Sequence, residues 1–363
     1  MITLRLAVDA ARLDTPQAMA ALDQAAALLR SGGLVALPTE TVYGLGANAL
    51  DAAAVARIFA AKQRPSWDPV IVHIASMEML EPLVTAVPEA ARRLMEAFWP
   101  GPLTLLLPRS AAVPDAVTAG RALVGVRMPA HPVALELIRR AGVPVAAPSA
   151  NLFSHTSPTT AAHVLADLDG RIDAILDAGT AAHGVESTVL DPTQSPMVLY
   201  RPGAITLEQI CAVAGAAELY VAPGDLASGS TDAVAPHEPE TPGEPESLPS
   251  PGVGIRHYAP RARLVLVEGP LAGLGALLAE AAACFTGQRI GLMLPAEVAR
   301  PAALAGAEVY GWGRWDDPAA LAHGLYAGLR QLDELDCAVI LCPLPPAEGI
   351  GAATCDRLRK AAR

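Results

Sequence analysis

Aromatic side chains are scarce in this sequence, since they make up 4% of its 363 residues although 52% of the chain is hydrophobic. The core must therefore be aliphatic and built from small side chains, as alternating strands and helices provide. One domain usually takes about 100 to 200 residues, so the length predicts two domains. Together these features favour an α/β protein.

Long apolar runs are also missing. No run reaches the ~18 residues that cross a bilayer. The opening stretch "MITLRLAVDAARLD" lacks the basic start, apolar middle and cleavage site of a signal peptide. We therefore expect a cytoplasmic protein that has no membrane partner.

Cysteines are few and follow no known pattern. The five of them are odd in number and never spaced as CxxC, so neither a disulfide framework nor a zinc site is indicated. No residue is assigned as a metal ligand, and we expect reduced thiols in the core. The cysteines are Cys211, Cys284, Cys337, Cys342 and Cys355.

Several nucleotide and catalytic signatures are absent. The sequence contains no GxxxxGK[ST], no kinase signature, no GxSxG and no GxGxxG, so a nucleotide would have to be held by another architecture. The net charge of -11 argues against a general nucleic-acid binder. Residues 1–213 carry 15 basic and 19 acidic groups, residues 214–260 carry 1 and 7, and residues 261–363 carry 10 and 11. The acidity is thus concentrated in the middle of the chain.

That middle segment, 214–260, is also rich in proline, glycine and serine, and such a composition cannot bury enough apolar surface to fold. It predicts an extended linker. On either side of it, strand-like apolar runs alternate with helix-like runs. We therefore predict a twisted α/β sheet domain at 1–213 and a smaller α/β domain with a parallel sheet at 261–363.

Polar clusters lie beside the predicted strands of the first domain. The stretch "LPTETVYGLG" follows the strand-like run "GLVAL", and similar clusters are "KQRPSWDP", "VRMP", "PSAN", "ESTVLD" and "YRPGAI". In open α/β sheets, ligands bind at the carboxyl ends of the strands. The clusters therefore predict one pocket at that edge.

Lys62 and Arg64 stand at a predicted helix end, before the helix breaker Pro65. An ammonium and a planar guanidinium suit a polyphosphate. A helix C-terminus also favours basic residues because of its dipole. On the residues alone both interpretations remain open.

Three further residues have two interpretations each. Arg127 ends an apolar strand, so its charge meets either a bound anion or an internal carboxylate. His73 alternates with apolar residues, which fits a core histidine as well as a ligand contact. Ser157 lies in a polar loop and could cap the next helix.

Eight segments occur in an order that resembles the YrdC-like domain of threonylcarbamoyl-AMP synthases. They are "PTETVYGLG", "KxRP" from Lys62 to Pro65, "WPGPLT", "VRMPxHP", "APSAN", "SPTT", "ESTVLD" and "RPGAI". Near the linker's end, "SPGVGIRHYAP" resembles the family's interdomain signature, and "EGIGAATCDRLRKAA" resembles its C-terminal end. The resemblance spans nearly the whole chain and implies a YrdC-like domain, a linker and a Rossmann-like C-terminal domain.

The resemblance also implies an activity. This family condenses L-threonine, bicarbonate and ATP into threonylcarbamoyl-AMP and pyrophosphate, a nucleotidyltransferase reaction. The adenylate then passes to a tRNA threonylcarbamoyl transferase complex that modifies the adenosine next to the anticodon, with at most a weak tRNA contact here. Mg²⁺ is expected to bridge phosphate oxygens. No covalent nucleophile is needed, because positioning and charge neutralisation can carry the rate.

Site residues follow from the resemblance position by position. Those that match threonine-binding positions are Thr41, His73, Arg127, Ala147 and Ser187. Those that match ATP-binding positions are Lys62, Arg64, Asp68, Leu123, Ser149, Asn151, Ser157, Arg201 and Tyr258. The residues expected to act in catalysis are Lys62, Arg64 and Arg127. Arg127 would bind the threonine carboxylate, and Ala147 would act through its backbone.

The chain departs from the family pattern at three places. Asp68 stands where asparagine is usual, and Phe153 and Ser154 replace serine and glycine. The segment "SPGVGIRHYAP" lacks the usual Met-Lys-Tyr run. Because Tyr258 belongs to that segment, we expect residues 250–260 to act as a lid that excludes water from the adenylate.

Two other functions are compatible with a YrdC-like domain. One is a double-stranded RNA-binding module on the YrdC-like surface, but 15 basic and 19 acidic groups leave residues 1–213 with a charge of -4, which argues against phosphate tracking. The other is a carbamoyl-transfer domain like that of hydrogenase maturation factors. It would need acylphosphatase and zinc-finger segments that the sequence lacks.

Overall fold

Two β-sheets organise the chain in the computed structural model, which describes residues 2–221 and 257–363. The strands of the first part are β1 (Leu4–Ala7), β2 (Val35–Leu37), β3 (Gly44–Asn48), β4 (Val72–His73), β5 (Leu103–Pro108), β6 (Leu123–Arg127), β7 (Val145–Ala146), β8 (Ala174–Asp177), β9 (Thr188–Asp191), β10 (Met197–Arg201) and β11 (Ala217–Leu219). Its helices are α1 (Pro16–Arg30), α2 (Ala52–Lys62), α3 (Glu89–Phe98), α4 (Asp115–Thr118), α5 (Pro132–Ala141), α6 (Ala161–Leu168) and α7 (Leu207–Ala214).

The second part repeats the alternation of strands and helices. Its elements are β12 (Arg263–Val267), α8 (Leu274–Ala283), β13 (Ile290–Pro295), β14 (Glu308–Gly313), α9 (Pro318–Glu334), β15 (Val339–Pro343) and α10 (Gly351–Ala361). Among the described residues, none of the helices combines the length and apolar character that crossing a membrane requires.

The large sheet is mixed and the small sheet is parallel. The strand order of the large sheet is β1-β8-β2-β3-β7-β4-β6-β5-β9-β10-β11, and that of the small sheet is β12-β15-β13-β14. In the large sheet β2, β4 and β6 each have an antiparallel neighbour, whereas the three pairings of the small sheet are all parallel. The α/β fold and the parallel second sheet are therefore confirmed.

Both faces of the large sheet are covered. Along β2 all three residues are buried, and Val35 and Leu37 pack in one apolar cluster while Ala36 packs in another. Alternating side chains point to opposite faces of a strand. Burial on both sides explains why the run "LVAL" is apolar throughout.

Helix α2 places the basic pair of the sequence. It begins at the N-cap Asp51, whose side chain accepts hydrogen bonds from the backbone N–H groups of Ala53 and Ala54. It ends at Gln63, which takes a left-handed conformation with φ of 52°. The last helical residue is Lys62, and Arg64 already belongs to the loop that leads to β4.

Two predictions need correction. Strand β11 pairs with β10, so the first sheet continues past the predicted boundary at residue 213. Cys284 is exposed at the end of α8 rather than buried in the core, because a helix C-terminus faces solvent there. Most of the predicted linker, residues 222–256, and with it most of the predicted lid, lies outside the described residues.

Candidate functional site

One pocket gathers nine of the predicted site residues. They are Thr41, Arg64, His73, Arg127, Ala147, Ser149, Ser187, Arg201 and Tyr258. The pocket encloses about 50 Å³, well below the ~300 to 1,000 Å³ of typical ligand sites. Three buried arginines, Arg64, Arg127 and Arg201, line this small pocket.

The pocket lies where several strands of the large sheet begin or end. Loops after β2 and β7 and the last residues of β6 and β10 contribute to it, as predicted from strand ends. Glu186 and Ser187, however, precede β9 instead of following it. Because β9 runs antiparallel to β10, its start lies beside the end of β10. The expectation of carboxyl ends alone was thus wrong for this cluster.

Arg127 is held by the loop that follows β2. Its Nη2 lies 2.6 Å from Glu40 Oε1 in a buried ion pair, and its Nη1 donates to Thr41 Oγ1 at 2.9 Å. Its Nε donates to the carbonyl of Gly101 at 3.1 Å. Burial raises the pKa of Glu40, but the charge and hydrogen bond of Arg127 outweigh it and the pKa is lowered. The internal carboxylate that the sequence left open is therefore Glu40.

The hydroxyl groups of the same loop form a short chain. Thr39 Oγ1 lies 2.8 Å from Thr41 Oγ1 and donates to the carbonyl of Val42 at 2.6 Å. Tyr43 instead points away, and its hydroxyl donates to the carbonyl of Gly179 at 2.6 Å. Thr39 shapes the turn that presents Thr41, and Tyr43 anchors the loop to the strand end of β8.

His73 is a neutral polar group in the pocket wall. It is buried in β4 beside Arg127 of β6, and its Nδ1 has no hydrogen-bond partner among the residues that the structure describes. Burial and the positive charge of Arg127 lower the pKa of His73 to about 3. At neutral pH it can therefore bind a ligand through hydrogen bonds but carries no charge.

Ser187 and Arg201 form a second polar wall. Arg201 donates through Nε to the carbonyl of Ser187 at 3.0 Å and through Nη2 to Ser187 Oγ at 3.1 Å. Ser187 Oγ also lies 2.8 Å from Thr104 Oγ1 of β5. These contacts hold the guanidinium of Arg201 at the pocket.

Arg64 is balanced by an adjacent acid. Its Nη2 lies 2.8 Å from Asp68 Oδ2, and it also donates to the carbonyl of Pro69 at 2.8 Å. Burial raises the pKa of Asp68, against the lowering effect of the charges on Arg64 and Lys62. The departure from asparagine at this position therefore supplies a counterion to Arg64 in this structure.

Lys62 is not a pocket-lining residue. It is 1% exposed, and its Nζ donates to the carbonyls of Ser149, at 2.6 Å, and Asn151. Burial, followed by the charge of Arg64, lowers its pKa well below the usual range. Asn151 in turn donates to the carbonyls of Leu152 and His155. The side chains of Lys62 and Asn151 thus support the "PSAN" loop without lining the pocket.

The remaining predicted residues lie just outside the pocket. Asp68 forms an ion pair with the pocket residue Arg64. Ser157 Oγ donates a hydrogen bond of 2.5 Å to Glu186, which lines the pocket. Leu123 begins β6 and packs with the small apolar cluster that includes Ile71. The structure thus separates the fourteen predicted residues into nine that line the pocket and five that support it or lie apart.

Sequence reasoning assigned no role to three titratable side chains at the pocket. Glu186 and His257 line the pocket, and Glu40 forms the ion pair with Arg127. Each stands inside a quoted segment, "ESTVLD", "HYAP" or "PTETVYGLG". The signal was therefore present, but a local pattern could not tell which member of a segment faces the pocket.

The described part of the chain offers no cage for a metal. No group of three or more His, Cys, Asp and Glu side chains in residues 2–221 and 257–363 is placed to hold an ion. Mg²⁺ is often held by substrate phosphates, waters and one or two carboxylates instead of a protein cage.

Comparisons with known proteins show what the two parts of the chain are similar to. A family model described as telomere recombination matches residues 27–203, and one described as the threonylcarbamoyl-AMP synthase C-terminal domain matches residues 205–363. The threonylcarbamoyl-AMP synthase of Pyrococcus abyssi is 44% identical over 93% of this chain and 92% of its own length. That of Bacillus subtilis is 46% identical over 93% and 92%.

A solved structure resembles the whole chain. The crystal structure of Pyrococcus abyssi Sua5 complexed with L-threonine superposes with a TM-score of 0.87 at 41% identity, and the match covers 99% of this chain and 98% of that one. The sequence matches and the structural match therefore both extend over the two domains. The chain belongs to the threonylcarbamoyl-AMP synthase family.

Proposed function

We propose that the pocket carries out the family's reaction on L-threonine, bicarbonate and ATP. The observation that carries the proposal is the convergence of three buried arginines, Arg64, Arg127 and Arg201, on one enclosed pocket. The reactants bring a carboxylate, a carbamate and a triphosphate, and guanidinium groups bind such anions through charge-assisted hydrogen bonds.

Threonine is assigned to the side of Arg127. The related protein from Pyrococcus abyssi was solved with L-threonine, which supports this substrate here. Arg127 donates a hydrogen bond to Thr41 and forms an ion pair with Glu40. The carboxylate of threonine can therefore compete with Glu40 for the guanidinium group. Neutral His73 and the backbone of Ala147 complete this side.

The nucleotide is assigned to the side of Arg64 and Arg201. Threonine's amine first adds to carbon dioxide from bicarbonate and loses a proton, which forms a carbamate. A carbamate oxygen then attacks the α-phosphorus of ATP, and the bond to the bridging oxygen breaks to release pyrophosphate. The two guanidinium groups would neutralise charge on the phosphates as it shifts to the leaving group. Mg²⁺ enters as part of the nucleotide substrate.

Lys62 has a supporting role in this proposal. Its ammonium fixes the carbonyls of Ser149 and Asn151, so the "PSAN" loop is held at the nucleotide side. Asp68 sets the charge and direction of Arg64. Ser157 is assigned to the nucleotide side through its hydrogen bond to the pocket residue Glu186, and Leu123 through the cluster that it shares with the pocket residue Ile71.

Substrate entry requires the pocket to widen, because about 50 Å³ cannot hold both substrates. We propose that the wall formed by His257 and Tyr258 moves. It is fastened to the first domain through the backbone N–H of Ala259, which donates to the carbonyl of Ser154 at 2.9 Å, and through the edge contact between the rings of His257 and Phe153. Closure of this wall would exclude water from the adenylate.

The product would pass to a tRNA threonylcarbamoyl transferase complex, and we place this handover in the cytoplasm. The test is to incubate purified protein with MgATP, L-threonine and bicarbonate and to detect threonylcarbamoyl-AMP by mass spectrometry. We expect the adenylate and one pyrophosphate, both dependent on threonine and bicarbonate. Salt-dependent binding of double-stranded RNA without any adenylate would contradict the proposal and favour the RNA-binding alternative.

A further inference from the structure

A buried carboxylate joins the two domains beside the pocket. Glu186, just before β9, accepts hydrogen bonds from Ser157 Oγ at 2.5 Å, from the hydroxyl of Tyr326 at 3.0 and 3.1 Å, and from Arg357 Nε at 2.7 Å. Ser157 belongs to the first domain, Tyr326 to α9 and Arg357 to α10. One side chain of the catalytic domain is thus held by two elements of the C-terminal domain.

Arg357 reaches the pocket wall at two further points. Its side chain is 0% exposed. Nη2 donates to the carbonyl of Pro202 at 3.0 Å, and the guanidinium carbon lies 5.2 Å from the centre of the Tyr258 ring. Pro202 directly follows Arg201, so this hydrogen bond holds the chain beside a pocket arginine. The contact with the Tyr258 ring has cation–π geometry.

The charges at this junction are paired, since Arg357 lies between two carboxylates: Nε is 2.7 Å from Glu186 Oε2 and Nη1 is 2.6 Å from Asp356 Oδ2. Burial raises the pKa of Glu186, but the charges of Arg357 and Arg201 outweigh it, so the pKa is lowered and the group is ionised at neutral pH. An ionised carboxylate only accepts hydrogen bonds. The hydroxyls of Ser157 and Tyr326 must therefore both donate to it, which fixes their orientation.

We propose that Arg357 is a positioning residue for the nucleotide side of the pocket. It acts from the C-terminal domain through Glu186, the carbonyl of Pro202 and the ring of Tyr258. Through these partners it fixes three residues assigned to ATP, namely Ser157, Arg201 and Tyr258. The C-terminal domain is then part of the catalytic unit. The assignment of these three residues to ATP rests on the proposed function.

A purely structural role predicts a different pattern from a positioning role. If Arg357 only stabilises the domain interface, the folded double variant Arg357→Met/Glu186→Gln binds MgATP as tightly as Glu186→Gln alone. If Arg357 positions the wall, the double variant binds MgATP more weakly than Glu186→Gln, because the contacts with Pro202 and Tyr258 are also lost. Arg359 offers a matched control, since it lies on the same helix with an exposed side chain 4.0 Å from Glu268.

The experiment compares the full-length variants Arg357→Met, Arg357→Lys, Glu186→Gln, Arg357→Met/Glu186→Gln and Arg359→Met. Affinity for MgATP is measured by calorimetry, KM for ATP and for threonine by pyrophosphate release, and folding by thermal unfolding. We expect Arg357→Met to weaken MgATP binding at least about tenfold, with a larger rise in KM for ATP than for threonine. Arg357→Lys should be intermediate because it keeps the charge without the planar fork. Arg359→Met should match the unmodified protein.

If Arg357→Met fails to fold, the double variant Arg357→Met/Glu186→Gln tests the proposal. It should unfold near the unmodified protein's temperature and bind MgATP at least about tenfold more weakly than Glu186→Gln does. MgATP binding by the double variant equal to that of Glu186→Gln would overturn the inference. Tight MgATP binding without turnover in the unmodified protein would instead count against the proposed function, while the comparison among variants still decides the role of Arg357.

Discussion

Replacement of Arg127 by methionine separates its structural role from its proposed binding role. Arg127 and Glu40 are both buried, and their closest charged atoms are 2.6 Å apart. Removal of one partner leaves an uncompensated carboxylate, and breaking such buried pairs costs about 3–5 kcal/mol. We expect urea unfolding at neutral pH to show that the unfolding free energy of Arg127→Met is lower by that amount. Threonine-dependent kcat/KM should fall by about a hundredfold or more, which corresponds to roughly 2.7 kcal/mol.

The double variant Arg127→Met/Glu40→Gln is the matched control. It removes both charges, so most of the stability should return, because an ion pair replaced by uncharged groups of similar size is often close to neutral. Its threonine-dependent pyrophosphate release should stay low, since no guanidinium remains to bind the carboxylate. Turnover of threonine within about threefold of the unmodified protein in this double variant would refute the role of Arg127. A loss of less than about 1 kcal/mol in the single variant would refute the energetic argument.

The ion pair also predicts a pH dependence of stability. The pKa of Glu40 is lower in the folded state than the ordinary value of 4.5. Its contribution is therefore fully present above pH 4.5 and is lost as the pH falls through the folded-state pKa. The double variant lacks this carboxylate, so its urea midpoint should fall less steeply with acid than that of the unmodified protein.

Three other variants test the supports of the pocket. Lys62→Met should raise KM for ATP in pyrophosphate release, because two carbonyls of the "PSAN" loop lose their donor. Gly46→Ala should lower the unfolding free energy by about 1–3 kcal/mol, because a Cβ there would lie 2.9 Å from side-chain atoms of Leu37 and Val145. Arg330→Met should flatten the acid loss of stability between pH 3.8 and about 2, since burial raises the pKa of Asp167 but His155 and Arg330 lower it to about 2.

Each of these outcomes has a result that contradicts it. An unchanged KM for ATP in the Lys62 variant would mean that the loop holds its shape without the ammonium. If the Gly46 variant had the same unfolding free energy as the unmodified protein, β2 and β7 would make room for the added methyl group without a loss of stability. The Arg330 effect follows from linkage: Asp167 stabilises the fold above pH 3.8 and loses that effect as the pH falls to about 2. An unchanged acid profile would rule out the ion pair at 2.9 Å as its source.

Much of the fold and part of the site could be predicted from the sequence. Apolar runs with strand and helix periods located β2, α2, β5, β6 and α5, because local burial patterns are written in consecutive residues. The two-residue strands β4 and β7 could only be placed within longer apolar runs. No strand was predicted at β3, since "GLGAN" has the glycines of a turn and becomes a strand only through its pairing with β2 and β7.

What the sequence by itself determined is the set of charged and hydroxyl side chains that must avoid an apolar core. An arginine at the end of an apolar strand needs an anion, and "LPTETVYGLG" needs partners for its hydroxyls, wherever the chain folds. Only the tertiary structure decided which partners these are. Arg127 pairs with Glu40, 87 positions earlier in the sequence, and Arg357 with Glu186, 171 positions earlier. Such pairings depend on how sheets and helices pack across the whole chain, and no local periodicity records them.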